Sequence, residues 1–293
     1  MKRFFALVSL CGLSIPLALL GADPIRLVGS DLVADTLGPE LNAFATANEL
    51  PLAIDLRGSR LGLETLQAGG ADLGLIVLGA EDTPPGPEFA NSVVGYLTTV
   101  VAVPSTVPLT QIHFAQLAGV FGASEVTNYK RWSELGVTGS WGVRGITAVA
   151  VSRRGGLAVD LFRYQVLKTP DLKPTVVQFD EVARAAGRIS GEEGGIALLP
   201  SPPEEGGPLK VLLVAKSERD VAYGPTAENL HTGDYPLRLA VRLVFRKTDA
   251  KRLNFLLRHL LADETAPALL RAGVVPLPVQ ARNQLVFELE NLR

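Results

Sequence analysis

The most constraining feature of this sequence is a Gly-Ser pair that twice joins an apolar strand to a helix. The first pair is Gly29-Ser30 and the second is Gly58-Ser59. The apolar runs that predict strands are residues 25–28, 52–56 and 73–78, and the patterns that predict helices are residues 32–48 and 59–68. Strands and helices that alternate in this way predict a parallel sheet with right-handed crossovers. The chain is therefore expected to have an α/β fold.

Both Gly-Ser turns present backbone N–H groups at the start of a helix. A helix start attracts anions, because its first N–H groups have no partner inside the helix and the positive end of the helix dipole lies there. Open α/β sheets bind ligands at the carboxyl ends of their strands, where both turns lie. We therefore predict that one small anion is held from two sides. The binding residues predicted here are Gly29, Ser30, Asp31, Gly58, Ser59 and Arg60. The alternative is that both turns are ordinary, with the serines as helix caps.

The first residues predict export from the cytoplasm. Lys2 and Arg3 form a short basic region, and residues 4–20 are apolar. This pattern predicts that residues 1–22 are a cleaved signal peptide and that the mature protein is periplasmic or secreted. The alternative is an uncleaved membrane anchor, which the short span and Pro16 disfavour.

Cleavage of the signal peptide would remove every sulfur-containing residue and two basic residues from the mature chain. Cys11 and Met1 are the only sulfur-containing residues, so the mature chain has no disulfide and no cysteine nucleophile. The leader carries Lys2 and Arg3 and no acidic residue, so its removal takes the formal net charge from −2 to −4. This balance gives no general basic field for nucleic acid. The known phosphate-loop, serine-hydrolase and zinc-peptidase motifs do not occur, and we predict no catalytic residue, no metal and no cofactor.

The rest of the chain predicts a second α/β unit after a break bounded by prolines. Residues 93–103 are rich in β-branched side chains and predict one long strand, and residues 104–108 predict a hinge or domain boundary. Further strands are predicted at residues 143–151, 176–179, 195–199 and 239–245, and further helices at residues 110–121, 157–167, 180–188, 250–261 and 264–272. Residues 279–293 are expected to form a closing helix or a tail. Arg57, Arg153 and Arg154 are candidates for charge in a cleft, because arginine binds phosphate and carboxylate through paired hydrogen bonds.

Short motifs recur along the chain in a fixed order. They are Gly29-Ser30, residues 58–62 (GSRLG), residues 70–74 (GADLG), residues 117–122 (LAGVFG), residues 127–129 (TNY), Trp132, residues 235–237 (YPL) and residues 273–277 (GVVPL). In this order of motifs, the chain resembles the phosphate-binding proteins of bacterial ABC transporters, which belong to the periplasmic binding protein type II superfamily. The resemblance covers about residues 25–277.

The resemblance implies an anion site that a second lobe completes. The family has an arginine followed by Ser-Gly-Thr at a helix start, and here the segment reads Ser-Arg-Arg-Gly-Gly-Leu-Ala. Gly156 and Ala158 therefore stand where the family has hydroxyl groups, and Arg153 or Arg154 is expected to supply the charge. Residues 76–78 are apolar, whereas the family has a polar pair after its third strand. The ligand motifs are thus degenerate.

The sequence as a whole predicts a two-lobed fold of the periplasmic binding protein type II class, in which each lobe is a mainly parallel sheet flanked by helices. Lobe 1 is expected to comprise residues 23–102 and 236–293, and lobe 2 residues 103–235. The predicted function is that of an extracytoplasmic protein that binds phosphate or a similar small oxyanion and delivers it to an ABC transporter. The protein is expected to be a monomer. The alternative is a module of the same fold that has lost anion binding and serves as a structural or partner-binding protein.

Overall fold

The structure is a computed structural model that describes residues 23–78, 83–151, 157–167, 171–191 and 194–292. The predicted signal peptide lies outside these residues. The strands are β1 Ile25–Gly29, β2 Leu52–Asp55, β3 Leu73–Val77, β4 Phe89–Thr98, β5 Val100–Pro104, β6 Gln111–His113, β7 Thr147–Val151, β8 Val177–Phe179, β9 Gly195–Leu199, β10 Leu209–Val211, β11 Leu213–Ala215, β12 Arg238–Arg246 and β13 Val274–Pro276.

The α-helices are α1 Ala34–Ala47, α2 Ser59–Gln67, α3 Phe114–Phe121, α4 Gly139–Gly142, α5 Leu157–Val166, α6 Val182–Ile189, α7 Ala227–Thr232, α8 Ala250–Leu261, α9 Ala266–Arg271 and α10 Val279–Glu290. Short 3-10 helices cover Asp31–Val33, Trp132–Leu135, Lys247–Asp249 and Asp263–Thr265. In the part of the chain that the structure describes, no helix is both long and apolar enough to cross a membrane.

The first sheet has six strands in the order β13-β4-β12-β3-β1-β2. Strand β1 pairs in parallel with both β2 and β3, as the Gly-Ser pattern predicts. Strand β12 returns from late in the chain and pairs antiparallel with β3 and β4, and β13 pairs antiparallel with β4. The sheet is therefore mixed, and its parallel half is the half that carries both Gly-Ser turns.

The second sheet has five strands in the order β10-β5-β9-β7-β8. Parallel pairing again occupies one half, β9-β7-β8, and antiparallel pairing the other. Strands β6 and β11 form a separate parallel pair. Both large sheets are flanked by helices, so the predicted two-lobed α/β fold is confirmed. The expectation that each sheet is mainly parallel is wrong, because β4, β12 and β13 in the first sheet and β5 and β10 in the second pair antiparallel.

Both faces of the first sheet are buried at its inner strand β3. Side chains that alternate along β3 enter two different clusters: Leu75 packs with α1 and α8 on one face, whereas Ile76 packs with Leu66 of α2 on the other. A strand that is covered on both faces is expected to be apolar throughout, and every residue of β3 is buried. Helix α2 is amphipathic, with Leu66 fully buried and Arg60 exposed. Because Leu66 packs on Ile76 of β3, the helix and its N-terminus are held in place against the sheet.

The chain passes from the first sheet to the second at Thr99, which separates β4 from β5. The interpretation of residues 93–103 as one strand is therefore wrong. Two strands of two different sheets follow each other with one residue between them, and the β-branched run shows no turn residue at that point. The chain returns to the first sheet at Arg238, where β12 begins.

Two other local predictions are corrected by the structure. The helix predicted over residues 110–121 begins only at Phe114, because residues 111–113 form β6 and pair with β11. The strand predicted over residues 143–151 begins only at Thr147. Strand pairing decides both boundaries, with Gln111 opposite Leu213 and Thr147 opposite Gly195, and local sequence patterns do not contain that information.

Candidate functional site

The two Gly-Ser turns lie side by side at the carboxyl ends of β1 and β2. The backbone N–H of Gly58 donates a hydrogen bond to the carbonyl oxygen of Gly29 at 2.8 Å. The backbone N–H of Ser30 donates to the carbonyl oxygen of Leu75, also at 2.8 Å. The turns are thus joined to each other and to β3 by main-chain hydrogen bonds, which fix their relative positions.

This close approach requires glycine at two positions. Gly29 has a φ of +146°, and a Cβ atom there would lie 2.1 Å from the carbonyl oxygen of Leu75. Gly62 lies at the end of the first turn of α2, where a Cβ atom would come within 2.9 Å of the Cα of Gly29. The backbone of α2 therefore packs directly on the end of β1, and no side chain separates the helix start from the first turn.

The serine hydroxyls have different local roles. Ser30 is almost fully buried, and its Oγ accepts a 3.4 Å hydrogen bond from the N–H of Leu32, which makes it the cap of the 3-10 helix. Ser59 is not a cap, because Gly58 occupies the cap position of α2. Its Oγ instead accepts a 2.9 Å hydrogen bond from the N–H of Val77 at the end of β3. Each hydroxyl accepts from the backbone, and neither donates to another residue that the structure describes.

The start of α2 supplies backbone donors to the same place. Gly62 N–H donates to the Gly58 carbonyl at 2.9 Å and closes the first turn of the helix. The N–H groups of Ser59, Arg60 and Leu61 precede that bond, so they have no carbonyl partner within the helix. A ligand that lies against this turn meets N–H donors together with the Ser59 hydroxyl.

The charged side chains of this region are largely paired with each other. Arg60 is 92% exposed and bonds to Glu64 one helical turn away, at 3.3 Å. Arg57 forms two hydrogen bonds of 2.5 Å to Asp55, and these bonds lower the pKa of the Asp55 carboxyl. Asp31 is exposed beside the first turn. The described part of the site therefore presents neutral donors, with its two nearest arginines engaged by carboxylates.

The residues predicted to complete the site from the second sheet, Arg153 and Arg154, lie outside the described residues. Gly156 lies there as well, and for Ala158 only the helical backbone of α5 is described. Strand β7 ends at Val151, directly before this segment, and α5 begins at Leu157, directly after it. The segment thus joins a strand end to a helix start, as each Gly-Ser turn does in the first sheet.

The two chain segments that connect the sheets are joined by side-chain hydrogen bonds, which the sequence did not predict. The hydroxyl of Tyr235, which is fully buried, donates to the carbonyl oxygen of Thr99 at 2.7 Å. The hydroxyl of Thr98 donates to the carbonyl oxygen of Leu237 at 2.8 Å. The two chain segments that connect the sheets are thus tied to each other where they cross. The motif Tyr-Pro-Leu at residues 235–237 was one of the segments that carry the resemblance, but its two threonine partners carried no signal of their own.

One hydrogen bond joins a helix of the second sheet to a strand of the first. The side-chain amide of Gln165, near the end of α5, donates to the carbonyl oxygen of Arg238 at 3.2 Å. The guanidinium of Arg238 lies over the ring of Tyr96, 4.9 Å from its centre. Helix α5 therefore bridges the two sheets close to their junction.

No protein-family model matches this chain, and the comparison with curated proteins finds no match either. Solved structures do match over most of its length. An ABC-type phosphate transport receptor from Vibrio cholerae is 16% identical, with a TM-score of 0.63, and the match covers 87% of this chain and 100% of the receptor. PstS from Borrelia burgdorferi is 14% identical, with a TM-score of 0.69 and coverage of 87% and 99%.

A third structure, described as a possible phosphate binding protein from Planctomyces limnophilus, is 15% identical, with a TM-score of 0.70 and coverage of 92% and 98%. At such low identity the likeness concerns the fold. The chain has the two-lobed fold of type II periplasmic binding proteins, and the resemblance inferred from its motifs is confirmed at the level of the fold. In the described residues, no cluster of three or more histidine or acidic side chains is arranged to hold a metal.

Proposed function

We propose that this chain is an extracytoplasmic solute-binding protein that takes phosphate or a similar small oxyanion and presents it to an ABC transporter. The observation that carries the proposal is the hydrogen-bonded pair of Gly-Ser turns at the start of α2, where N–H groups without helical partners and a serine hydroxyl converge. Fixed neutral donors at a helix start favour an anion. The structures of similar fold whose names refer to phosphate support the same ligand class.

The proposed site has two halves. Gly29, Ser30, Gly58 and Ser59 form the first half, with Asp31 and Arg60 at its edge, and Arg153 and Arg154 supply positive charge from the second lobe. The first half offers neutral donors only, whereas an arginine would add a positive charge and a pair of parallel hydrogen bonds to the anion. The proposal therefore requires at least one of the two arginines to face Ser59.

The two sheets define the proposed lobes. We propose that lobe 1 comprises residues 23–102 and 236–293 and that lobe 2 comprises residues 103–235. Strand β5, Val100–Pro104, crosses this boundary: it pairs in the second sheet, although its first three residues fall within the interval of lobe 1. Rotation of one lobe against the other around the crossing segments would bury the ligand between them. The protein would bind and release its ligand as a monomer and would make or break no covalent bond.

Calorimetric titration tests the proposal. The mature chain is titrated with phosphate, sulfate, molybdate and a small carboxylate, and we expect heat of binding with phosphate or another tetrahedral oxyanion. Ser59→Ala should weaken that binding by about 1–3 kcal/mol, because the bound anion loses a hydroxyl donor. The matched control is Ser105→Ala, since the Ser105 hydroxyl donates to the Gly207 carbonyl in the second lobe, away from both Gly-Ser turns.

Two results would count against this proposal. Absence of heat and of a thermal shift with every anion would leave a module that has kept the fold and lost the ligand. Equal affinity in the wild type, Ser59→Ala and both arginine-to-alanine variants would move the site elsewhere in the molecule.

The proposal also places the protein outside the cytoplasm. We expect the mature chain to begin near Asp23, because the pattern of residues 1–22 is that of a signal peptide. N-terminal sequencing of protein recovered from a periplasmic or culture fraction checks this expectation. Recovery of Met1 at the terminus, or retention in membranes after a salt wash, would contradict cleavage.

A further inference from the structure

A pocket lies in the first lobe between helices α1, α8 and α10. Its volume is about 590 Å³, which lies within the range of small-molecule sites. Phe44, near the end of α1, lies fourteen positions after Ser30 in the chain, so the pocket is about 20 Å from the Gly-Ser turns along the axis of α1. The pocket is thus separate from the proposed anion site.

Aromatic rings form one wall of this pocket. The imidazole of His259 stacks on Phe44, with ring centres 3.6 Å apart and planes inclined by 4°. The ring of Phe255 lies 5.1 Å from Phe44 and is 52% exposed. Burial lowers the pKa of His259, while Glu40 and Glu264 act in the opposite direction, so the ring is neutral at pH 7. A half-exposed phenyl ring beside a rigid stack gives an apolar platform.

The polar groups of the pocket are neutral or already paired. The carboxamides of Asn254 and Asn283 line the pocket and form no hydrogen bond with another described residue. Arg258 pairs with Glu290 at 3.2 Å, and Asp263 pairs with the buried Arg282. Both charged groups at the rim therefore have a partner of opposite sign, and no unpaired charge in the described lining calls for an ionic ligand.

From this combination we infer that the pocket between α1, α8 and α10 binds a neutral saccharide. A sugar ring presents C–H groups on its faces, which pack on an aromatic ring, and hydroxyl groups around its edge, which both donate and accept hydrogen bonds. Phe255 supplies the ring, and the carboxamides of Asn254 and Asn283 supply donors and acceptors together. A charged ligand would have to compete with the Arg258–Glu290 and Asp263–Arg282 pairs for its partners.

Ligand-observed saturation-transfer NMR on the mature chain tests this inference. The probes are the disaccharides cellobiose and N,N′-diacetylchitobiose, with glucuronate as a charged comparison. We expect saturation transfer to both neutral disaccharides, strongest at the C–H groups of one ring face, and none to glucuronate. Phe255→Ala should weaken disaccharide binding about threefold to tenfold, the range that an aromatic contact typically contributes.

The matched control is Phe287→Ala. Phe287 lies on α10 and is 63% exposed, but it does not line the pocket. We expect this variant to bind the disaccharides as the wild type does, and Ser59→Ala to leave them unaffected because the two sites are separate. Absence of transfer from both disaccharides, or an equal loss in Phe255→Ala and Phe287→Ala, would overturn the inference whether or not the protein binds phosphate.

Discussion

At the scale of single residues, Gly29 fixes the geometry of the candidate site. The sequence predicted both Gly-Ser turns and the helices that follow them, because these depend on neighbours in the chain. It could not show that the Ser30 N–H is used by Leu75 or that the Gly58 N–H is used by Gly29, since strand register decides both bonds. Two of the backbone N–H groups in the Gly-Ser turns are therefore already hydrogen-bonded within the protein. The N–H groups that could bind a ligand lie mainly at the start of α2.

Replacement of Gly29 by alanine should destabilise the protein by about 3 kcal/mol or more. The new methyl group would lie 2.1 Å from the Leu75 carbonyl oxygen, on a residue whose φ of +146° strains any side chain. Gly187→Ala is the matched control, because Gly187 lies exposed inside α6 and a Cβ there meets no atom within 4 Å apart from its own chain neighbours and helix backbone. This control should stabilise the protein by up to about 1 kcal/mol, through helix propensity. Urea unfolding measures both, and equal effects would contradict the predicted contact.

At the scale of elements, the sequence predicted the strands and helices that local patterns mark, and it missed a strand end that only strand pairing decides. Strands β1, β2 and β3 and helices α1 and α2 were predicted closely, because alternation and apolar periodicity mark them. The division at Thr99 was missed, because β-branched residues continue on both sides of it. A strand that changes sheets without a turn is recognisable only from its partners, β12 on one side and β9 on the other.

The base of the first lobe contains a cluster that joins β1, the start of β3 and α8. The carboxylate of Asp72 accepts a 2.7 Å hydrogen bond from the N–H of Arg26 and a 2.6 Å bond from the side chain of Arg252. Burial alone would raise the pKa of Asp72, but these partners outweigh it and lower the pKa below its ordinary value. The ionised carboxylate therefore stabilises the folded state.

Asp72→Asn should lower the free energy of unfolding at pH 7 by about 1–3 kcal/mol, the usual contribution of hydrogen bonds to a charged group. A carboxyl whose folded pKa is depressed contributes fully above its unfolded value of about 4 and loses that contribution as the pH falls through the folded value. The difference in free energy of unfolding between wild type and variant should thus be constant from about pH 5 to about pH 8 and should shrink below about pH 4. Urea unfolding at each pH gives the comparison.

The control for this experiment is Asp180→Asn. Asp180 pairs with Arg184 on the surface, where its side chain is 72% exposed, and such pairs contribute about 0–1 kcal/mol. A loss in Asp180→Asn as large as that in Asp72→Asn would contradict the role of the cluster. So would a difference for Asp72→Asn that persists unchanged under acid conditions.

At the scale of the whole molecule, the sequence predicted two lobes, and the structure places one mixed sheet in each. The order of short motifs was sufficient for this, although each motif alone is weak. The ligand was harder to predict than the fold, because the first half of the site is built mainly from backbone N–H groups, which every residue except proline possesses. The identity of the proposed ligand would then depend on the segment after β7, in which Gly156 and Ala158 stand where the resemblance implies hydroxyl groups.

The junction between the lobes predicts how the molecule responds to its ligand. Thr98, Thr99, Tyr235 and Leu237 tie the two crossing segments together, so rotation should occur as a rigid movement about this point, without local unfolding. We expect small-angle X-ray scattering to show a smaller radius of gyration at saturating phosphate, with no change in helical circular dichroism. Ser59→Ala at the same phosphate concentration should contract less, in proportion to its lower occupancy, whereas Ser105→Ala should contract fully. If calorimetry shows binding and the radius of gyration stays constant, then the lobes do not close on the ligand, and the anion is held by the first lobe alone.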